Sequence, residues 1–200
     1  MTPLFKALAS IALAAGLSGC SLGGLMGGGG KAPISFQTLT PEAPDPGAIS
    51  RTVTAGQSVT IGTPTTAKEL KSTRVPVQVT PTEIQYLTDL QWVDTPDRLF
   101  QALVEETVRR TTSRVVLDPY QSTLDPGVQV NGELQRFGYD AQAGQVTVVY
   151  DASLAAPGGR VESRRFVASA PADGSAATVG PALNRAANQV ALDVAKWIGG

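Results

Sequence analysis

Few side chains in this sequence are suited to catalysis, and the most reactive of them is a single cysteine, Cys20. The 200 residues include no histidine, which excludes Ser-His-Asp triads, Cys-His nucleophiles and histidine-assisted zinc or copper sites. One cysteine also excludes an internal disulfide and paired-cysteine zinc or redox motifs. The catalytic options that remain are carboxylate pairs, lysine, tyrosine and hydroxyl groups.

The acidic residues do not form an obvious catalytic pair. Glu105 and Glu106 are adjacent on a predicted helix and point in different directions. Asp94 and Asp97 flank the predicted start of that helix, where capping accounts for them. We therefore expect no enzyme activity, no metal and no cofactor; a hydrolase is the weakest of the alternatives.

The composition is typical of a globular domain. Hydrophobic residues make up 42% of the chain, and 16 Lys and Arg face 17 Asp and Glu. Without a basic field, the chain is not expected to bind nucleic acid.

The sequence around Cys20 gives the first functional indication. One cation, Lys6, precedes an apolar stretch at 7–17 that is too short to span a bilayer, so residues 1–19 are predicted to be a signal peptide. The segment Leu17-Ser18-Gly19-Cys20 resembles a bacterial lipobox. This resemblance implies cleavage before Cys20 and covalent attachment of lipid to the cysteine. The alternative is an ordinary signal peptide followed by an incidental free cysteine.

The next segment, 20–33, is predicted to be a flexible tether. Glycine dominates it, and such a linker spans about 20 Å. In lipoproteins of the enteric type, a serine after the cysteine, here Ser21, permits sorting to the outer membrane. The outer membrane is therefore favoured over the inner membrane.

Residues 34–200 are predicted to form one layered α/β domain with a mixed, largely antiparallel sheet and two main amphipathic helices. Thr95 and Pro96 suit the start of the first helix, and Pro181 marks the start of the second. Gly132 is a candidate for a bulge, and Pro76 indicates an edge position or a bulge. Strands are predicted at 34–39, 58–61, 74–79, 84–86, 90–93, 113–117, 128–139, 146–150 and 161–167. The charges of Arg164 and Arg165 are expected to prevent the edge of the last strand from pairing with another chain. The less favoured alternative is that they bind an anionic headgroup or partner.

One stretch resembles a known family. Between 70 and 117 the sequence contains Thr73-Arg74-Val75-Pro76-Val77, Glu83-Ile84-Gln85-Tyr86, Leu90-Gln91-Trp92-Val93-Asp94 and Arg98-Leu99-Phe100-Gln101-Ala102-Leu103-Val104-Glu105. These segments resemble the ABC-type transport auxiliary lipoproteins, the PqiC/YmbA-like group, although Val93 replaces the usual small residue after Trp92. The strand at 128–137 and the terminal helix continue the resemblance in order.

The resemblance implies a fold similar to the N-terminal domain of TolB and a role as a periplasmic accessory lipoprotein. The implied partners are an MCE-domain protein and an MlaE-like ABC permease, in systems that move lipid or other hydrophobic molecules between membranes. Arg74, Tyr86 and Trp92 are the candidate partner-binding residues, although aromatic residues of this kind more often lie in a core. The alternative is an envelope lipoprotein that binds a protein complex or peptidoglycan without lipid transport. Homo-oligomer formation is left open.

Overall fold

The computed structural model describes residues 35–125 and 127–199. The predicted signal peptide, Cys20 and the predicted tether lie outside the described residues. Of the strand predicted at 34–39, the described part makes only an isolated parallel bridge, between Gln37 and Trp92. The prediction of a full strand is wrong there, because the chain leaves the sheet after Gln37, and from Thr40 onward its backbone bonds to helix side chains.

A mixed sheet forms one layer of the fold, as the sequence predicts. In the described part of the chain it has eight strands: β1 Val59–Ile61, β2 Thr65–Thr66, β3 Arg74–Thr80, β4 Glu83–Gln91, β5 Val116–Leu117, β6 Val128–Asp140, β7 Gln145–Ala155 and β8 Val161–Pro171. The long pairings β3–β4, β6–β7 and β7–β8 are antiparallel. The short pairings of β1, β2 and β3 with β6 are parallel. The sheet is therefore largely antiparallel.

Strand β6 organises the sheet. One of its sides pairs with β7 along its whole length. Its other side pairs in turn with β1, β2 and β3. β5 extends the sheet beyond β1, and β4 extends it beyond β3. A single 13-residue strand therefore fixes the positions of four others.

Two helices cover one face of this sheet. Helix α1, Pro96–Thr111, packs on β1 and β5, while α2, Ala176–Gly199, packs on β7, β8 and α1. On β7, alternate side chains from Val146 to Leu154 are buried beneath the helices. The opposite face, which we term the outer face, carries mainly polar residues. The period of two in β7 thus separates a buried face from a solvated one.

The start of α2 differs from the prediction. The helix begins at Ala176, and Pro181 lies inside it. Asp173 caps this end by accepting hydrogen bonds from the Ser175 amide and the Thr178 hydroxyl. Pro181 is the sixth helical residue, so it removes only a hydrogen bond near the helix start. The capping residues, not the proline, mark the boundary.

Several strand boundaries also differ. The two short strands predicted at 84–86 and 90–93 form one strand, β4, and the strand predicted at 113–117 shortens to β5. The irregularity in β6 falls between Leu134 and Arg136, not at Gly132. Instead, Gly132 lies against the Tyr150 ring, and an added Cβ would overlap that ring. The glycine provides space for Tyr150.

The N-terminal part of the described chain is fastened to the helices by residues 40–43, which we term the strap. Asn184 Oδ1 accepts a hydrogen bond from the Thr40 amide at 2.8 Å, and Asn188 Oδ1 accepts one from the Glu42 amide at 2.7 Å. Arg110 donates to the Ala43 carbonyl at 2.9 Å. Side chains of α1 and α2 thus supply the hydrogen bonds that a sheet partner would otherwise provide.

Candidate docking surface

Arg74 and Tyr86 lie together on the outer face, where β3 pairs with β4. The Arg74 guanidinium carbon is 4.5 Å from the centroid of the Tyr86 ring. The Tyr86 hydroxyl donates to the Glu69 carbonyl at 3.3 Å. A guanidinium over an aromatic face is stabilised by about 0.5–1 kcal/mol at an exposed site. We term these two residues the Arg74–Tyr86 surface.

An irregular pairing of the two strands brings these residues together. Arg74 pairs with Gln91, whereas Pro76 pairs with Tyr86. One residue therefore separates the pairs on β3, while four separate them on β4. This shift agrees with the bulge predicted at Pro76. Because β3 lies between β4 and β6, the alternative prediction of an edge position for Pro76 is wrong.

Trp92 lies in the core, away from this surface. It is 1% exposed and packs edge-on against Phe137, with the ring centroids 5.6 Å apart. Its indole nitrogen has no hydrogen-bond partner among the described residues. Of the three predicted partner-binding residues, only Arg74 and Tyr86 have side chains near the surface. The prediction for Trp92 needs correction: the indole supports the strand end from beneath, and its burial leaves no area for a partner.

No sequence pattern indicates Glu69, because its backbone carbonyl meets Tyr86 only through the tertiary fold. Ile84, two residues before Tyr86 in β4, is 41% exposed and adds an apolar side chain next to the Arg74–Tyr86 surface. Backbone groups and exposed aliphatic residues of this kind leave no motif in a sequence.

A polar cleft of about 520 Å³ lies near the start of α1 and includes Lys71, Asp94 and Arg98 in its lining.

The acidic residues near α1 have structural partners. Glu105 bonds Arg109 at 3.2 Å, and Glu106 bonds Arg110 at 2.8 Å. Burial raises the pKa of Glu105, against the opposing effect of Arg109. The two carboxylates thus form separate ion pairs along the helix, which is consistent with the expectation that they point in different directions. Among the described residues, no group of three potential ligands could hold a metal ion.

The start of α1 also differs in detail from the prediction. Thr95 is the N-cap residue, but its side chain makes no capping hydrogen bond. Its amide instead donates to the Asp94 carboxylate at 2.7 Å. Asp94 therefore stabilises the turn before the helix.

The charges of β8 are arranged along an exposed edge. Arg165 binds Asp151 through two hydrogen bonds of 2.6 Å, and this contact lowers the pKa of Asp151. The Arg164 guanidinium carbon is 5.1 Å from the centroid of the Phe166 ring. Both contacts occur within the sheet and fit the expectation of solvated strand charges.

Comparison with known protein families assigns the chain to one family. The model of one family, described as "ABC-type transport auxiliary lipoprotein component", matches residues 38–195. The chain belongs to this family. The match includes β3, β4, α1, all but the last four residues of α2, and the Arg74–Tyr86 surface. Family membership makes this a lipoprotein-type accessory component of ABC-type transport and indicates the cell envelope as its location.

Solved structures share the fold. A crystal structure of a Xanthomonas campestris protein of the DUF330 family superposes with a TM-score of 0.65 at 20% sequence identity, over 82% of this chain and 94% of that chain. A second crystal structure, of an uncharacterized protein, has a TM-score of 0.62 at 13% identity, over 82% and 99% of the two chains. A search of curated proteins found no match. At these identities the structures establish the fold alone.

Within the described residues, neither helix has an apolar stretch long enough to cross a membrane.

Proposed function

We propose that this protein is a non-enzymatic accessory lipoprotein of an ABC transport system that contains an MCE-domain protein and an MlaE-like permease. Lipid on Cys20 anchors it on the periplasmic side of the envelope, with the outer membrane favoured. The system moves lipid or other hydrophobic molecules between membranes. The observation that carries this proposal is the family match over residues 38–195, which the lipobox-like sequence before Cys20 supports independently.

In this proposal the protein acts by anchoring and docking. Acyl chains contribute about 0.8 kcal/mol per buried methylene, so two or three of them give stable attachment. The Arg74–Tyr86 surface supplies the two residue types that are most enriched at binding hot spots besides tryptophan. Arg74 forms no ion pair within 4.0 Å in the described part of the chain. Its guanidinium therefore keeps hydrogen-bonding capacity for a partner.

Purification from membranes in mild detergent tests both the proposed anchoring and the proposed docking. The full chain should recover the permease and the MCE-domain protein. Arg74→Ala should lower that recovery roughly tenfold, as expected for a hot-spot loss of about 1–2 kcal/mol. Cys20→Ala should release the protein from the membrane fraction.

Arg164→Ala is the matched control, since Arg164 also lies over an aromatic ring, on β8. It should leave recovery unchanged. Equal losses for both variants would contradict the docking surface. Recovery of wall components alone would instead support a structural or assembly lipoprotein without lipid transport.

A further inference from the structure

Two large apolar side chains are exposed where the described chain begins. Phe36 is 55% exposed and Val93 is 59% exposed. We term these two residues the entry patch. The chain segments that carry them are hydrogen-bonded: Gln37 donates to the Gln91 carbonyl and Val93 donates to the Gln37 carbonyl, both at 2.8 Å. Apolar side chains are thus exposed on two neighbouring segments.

The patch has rigid support. Gln37 and Trp92 face each other in the parallel bridge, and Trp92 is buried. Because side chains alternate along extended chains, Phe36 and Val93 project to the side opposite Trp92. Burying the patch by rotating this segment would expose the indole. Phe36 and Val93 therefore stay exposed as long as Trp92 stays buried.

Charged residues of both signs lie in the segments next to the patch, and Lys71 shares a cleft with Asp94, Asp97 and Arg98. Arg74 pairs with Gln91 across β3 and β4, and Lys71 precedes β3 in the exposed turn. Within the described residues, neither cation forms an ion pair within 4.0 Å. Asp94 follows Val93, and its carboxylate, which keeps its negative charge, accepts the Thr95 amide. Apolar side chains beside free cations suit a membrane surface with anionic headgroups.

The patch lies close to the proposed anchor along the chain. Phe36 follows Cys20 by 16 positions. For the flexible tether that the sequence predicts, a segment of that length would have a root-mean-square span of about 22 Å. Phe36 is therefore among the described residues that follow the proposed anchor most closely in sequence.

We propose that Phe36 and Val93 insert into the interfacial layer of the membrane in which Cys20 is anchored, and so orient the domain on the lipid surface. This inference rests on the anchoring in the proposed function. Arg74 pairs with Gln91, which precedes Val93 by two positions. A partner docked at the Arg74–Tyr86 surface would accordingly meet the lipoprotein beside the membrane.

Site-specific fluorescence in vesicles tests the proposal. The full lipidated chain is reconstituted into vesicles of phosphatidylethanolamine and phosphatidylglycerol. Because acylation consumes the one cysteine, Val93→Cys introduces a single site for an environment-sensitive fluorophore. Val161→Cys is the matched control, since Val161 is a valine of 70% exposure at the start of β8. Four strand spacings, about 19 Å, separate β8 from β4 across the sheet.

Lipids that carry a quencher just below the headgroup report contact. Interfacial side chains lie about 5–10 Å into this layer, so quenching at position 93 should exceed that at position 161 by roughly threefold or more. Adding Phe36→Ser to the Val93→Cys variant should bring quenching down towards the control. Phe36 is largely exposed, so this change should leave the fold intact.

Three results would overturn the proposal. Equal quenching at both positions, with the chain still bound to vesicles, would refute insertion alone. A label at position 93 that responds only when the transport partners are added would assign the patch to a protein partner instead. Failure of the unsubstituted chain to float with vesicles, together with labelling of Cys20, would refute the anchoring and the insertion together.

Discussion

Asn188 is expected to hold the strap on the helices, and Asn188→Ala should weaken this attachment. The side chain is 6% exposed. Its Oδ1 accepts the Glu42 amide at 2.7 Å, and its Nδ2 donates to the Thr40 carbonyl at 2.9 Å and to the Asn184 carbonyl at 2.9 Å. One buried amide thus satisfies both a donor and an acceptor of the strap backbone.

The magnitude follows from these two strap contacts. Each neutral hydrogen bond contributes about 1 kcal/mol net. The bond to Asn184 lies within α2 and should add little. Alanine also leaves a small void, but water can reach the strap because Thr40 and Glu42 have exposed side chains. We expect the free energy of unfolding to fall by about 2 kcal/mol.

Two measurements check this expectation. Urea unfolding, followed by tryptophan fluorescence of the full chain in detergent, gives the change in the free energy of unfolding. Hydrogen exchange of the Glu42 amide should accelerate by up to roughly 30-fold, which corresponds to about 2 kcal/mol. The faster exchange should be confined to the strap if the helices stay packed.

Gln189→Ala is the control, because Gln189 is the neighbouring exposed residue and bonds Asp193 on the same helix. Its effect should stay within about 0.5 kcal/mol, as for most surface substitutions. The reasoning would be refuted if Asn188→Ala matched this control in stability and left exchange of the Glu42 amide unchanged.

Three further substitutions should separate packing, hydrogen bonding and charge. Tyr150→Phe should leave the free energy of unfolding unchanged or raise it by up to about 1 kcal/mol in urea unfolding, because the buried hydroxyl has no partner among the described residues. A fall in the free energy of unfolding by more than about 1 kcal/mol would contradict this expectation. Gly132→Ala should lower the free energy of unfolding by about 1–3 kcal/mol, because the new Cβ would overlap the Tyr150 ring and the Asp151 carbonyl. An unchanged free energy of unfolding would show that the sheet adjusts without cost. Hydrogen bonds from Thr178 and Ser175 lower the pKa of Asp173 from 3.8 to about 2. The stabilising effect of the ionised carboxylate should therefore be complete above pH 3.8 and be lost as the pH falls through 2. Asp173→Asn should flatten the dependence of the free energy of unfolding on pH between pH 2 and 3.8; an unchanged dependence would argue against the cap.

Much of the fold follows from local patterns in the sequence. The apolar spacing from Leu99 to Val108 predicts α1, and alternation in β7 predicts its buried face. The hairpin turns at 140–144 and 157–159 are also indicated by glycine and its neighbours. These features depend on residues close together in the chain, so periodicity and turn chemistry suffice to find them.

Other features depend on contacts between distant residues. The Thr40 and Glu42 amides of the strap donate to α2 side chains more than 140 positions away. The alternation just before the strap, at 34–39, therefore suggests a strand that does not form. Local signals place the start of α2 at Pro181, because a proline is a stronger local signal than an aspartate three residues before the helix. Trp92 cannot be assigned to core or surface from its neighbours in the chain, since its burial depends on Phe137 in a later strand.

The sequence by itself determined the chemical limits of this protein. The lack of histidine and the single cysteine exclude histidine-dependent catalysis and an internal disulfide, and the lipobox-like context of Cys20 predicts anchoring by lipid. Its local patterns also determined the fold class. Only the tertiary structure decided that Arg74 stacks on Tyr86, that Trp92 is buried, and that the segments carrying Phe36 and Val93 pair with each other. Each of these requires strands from separate parts of the chain to pair in one register, and a register is set by the whole packed sheet.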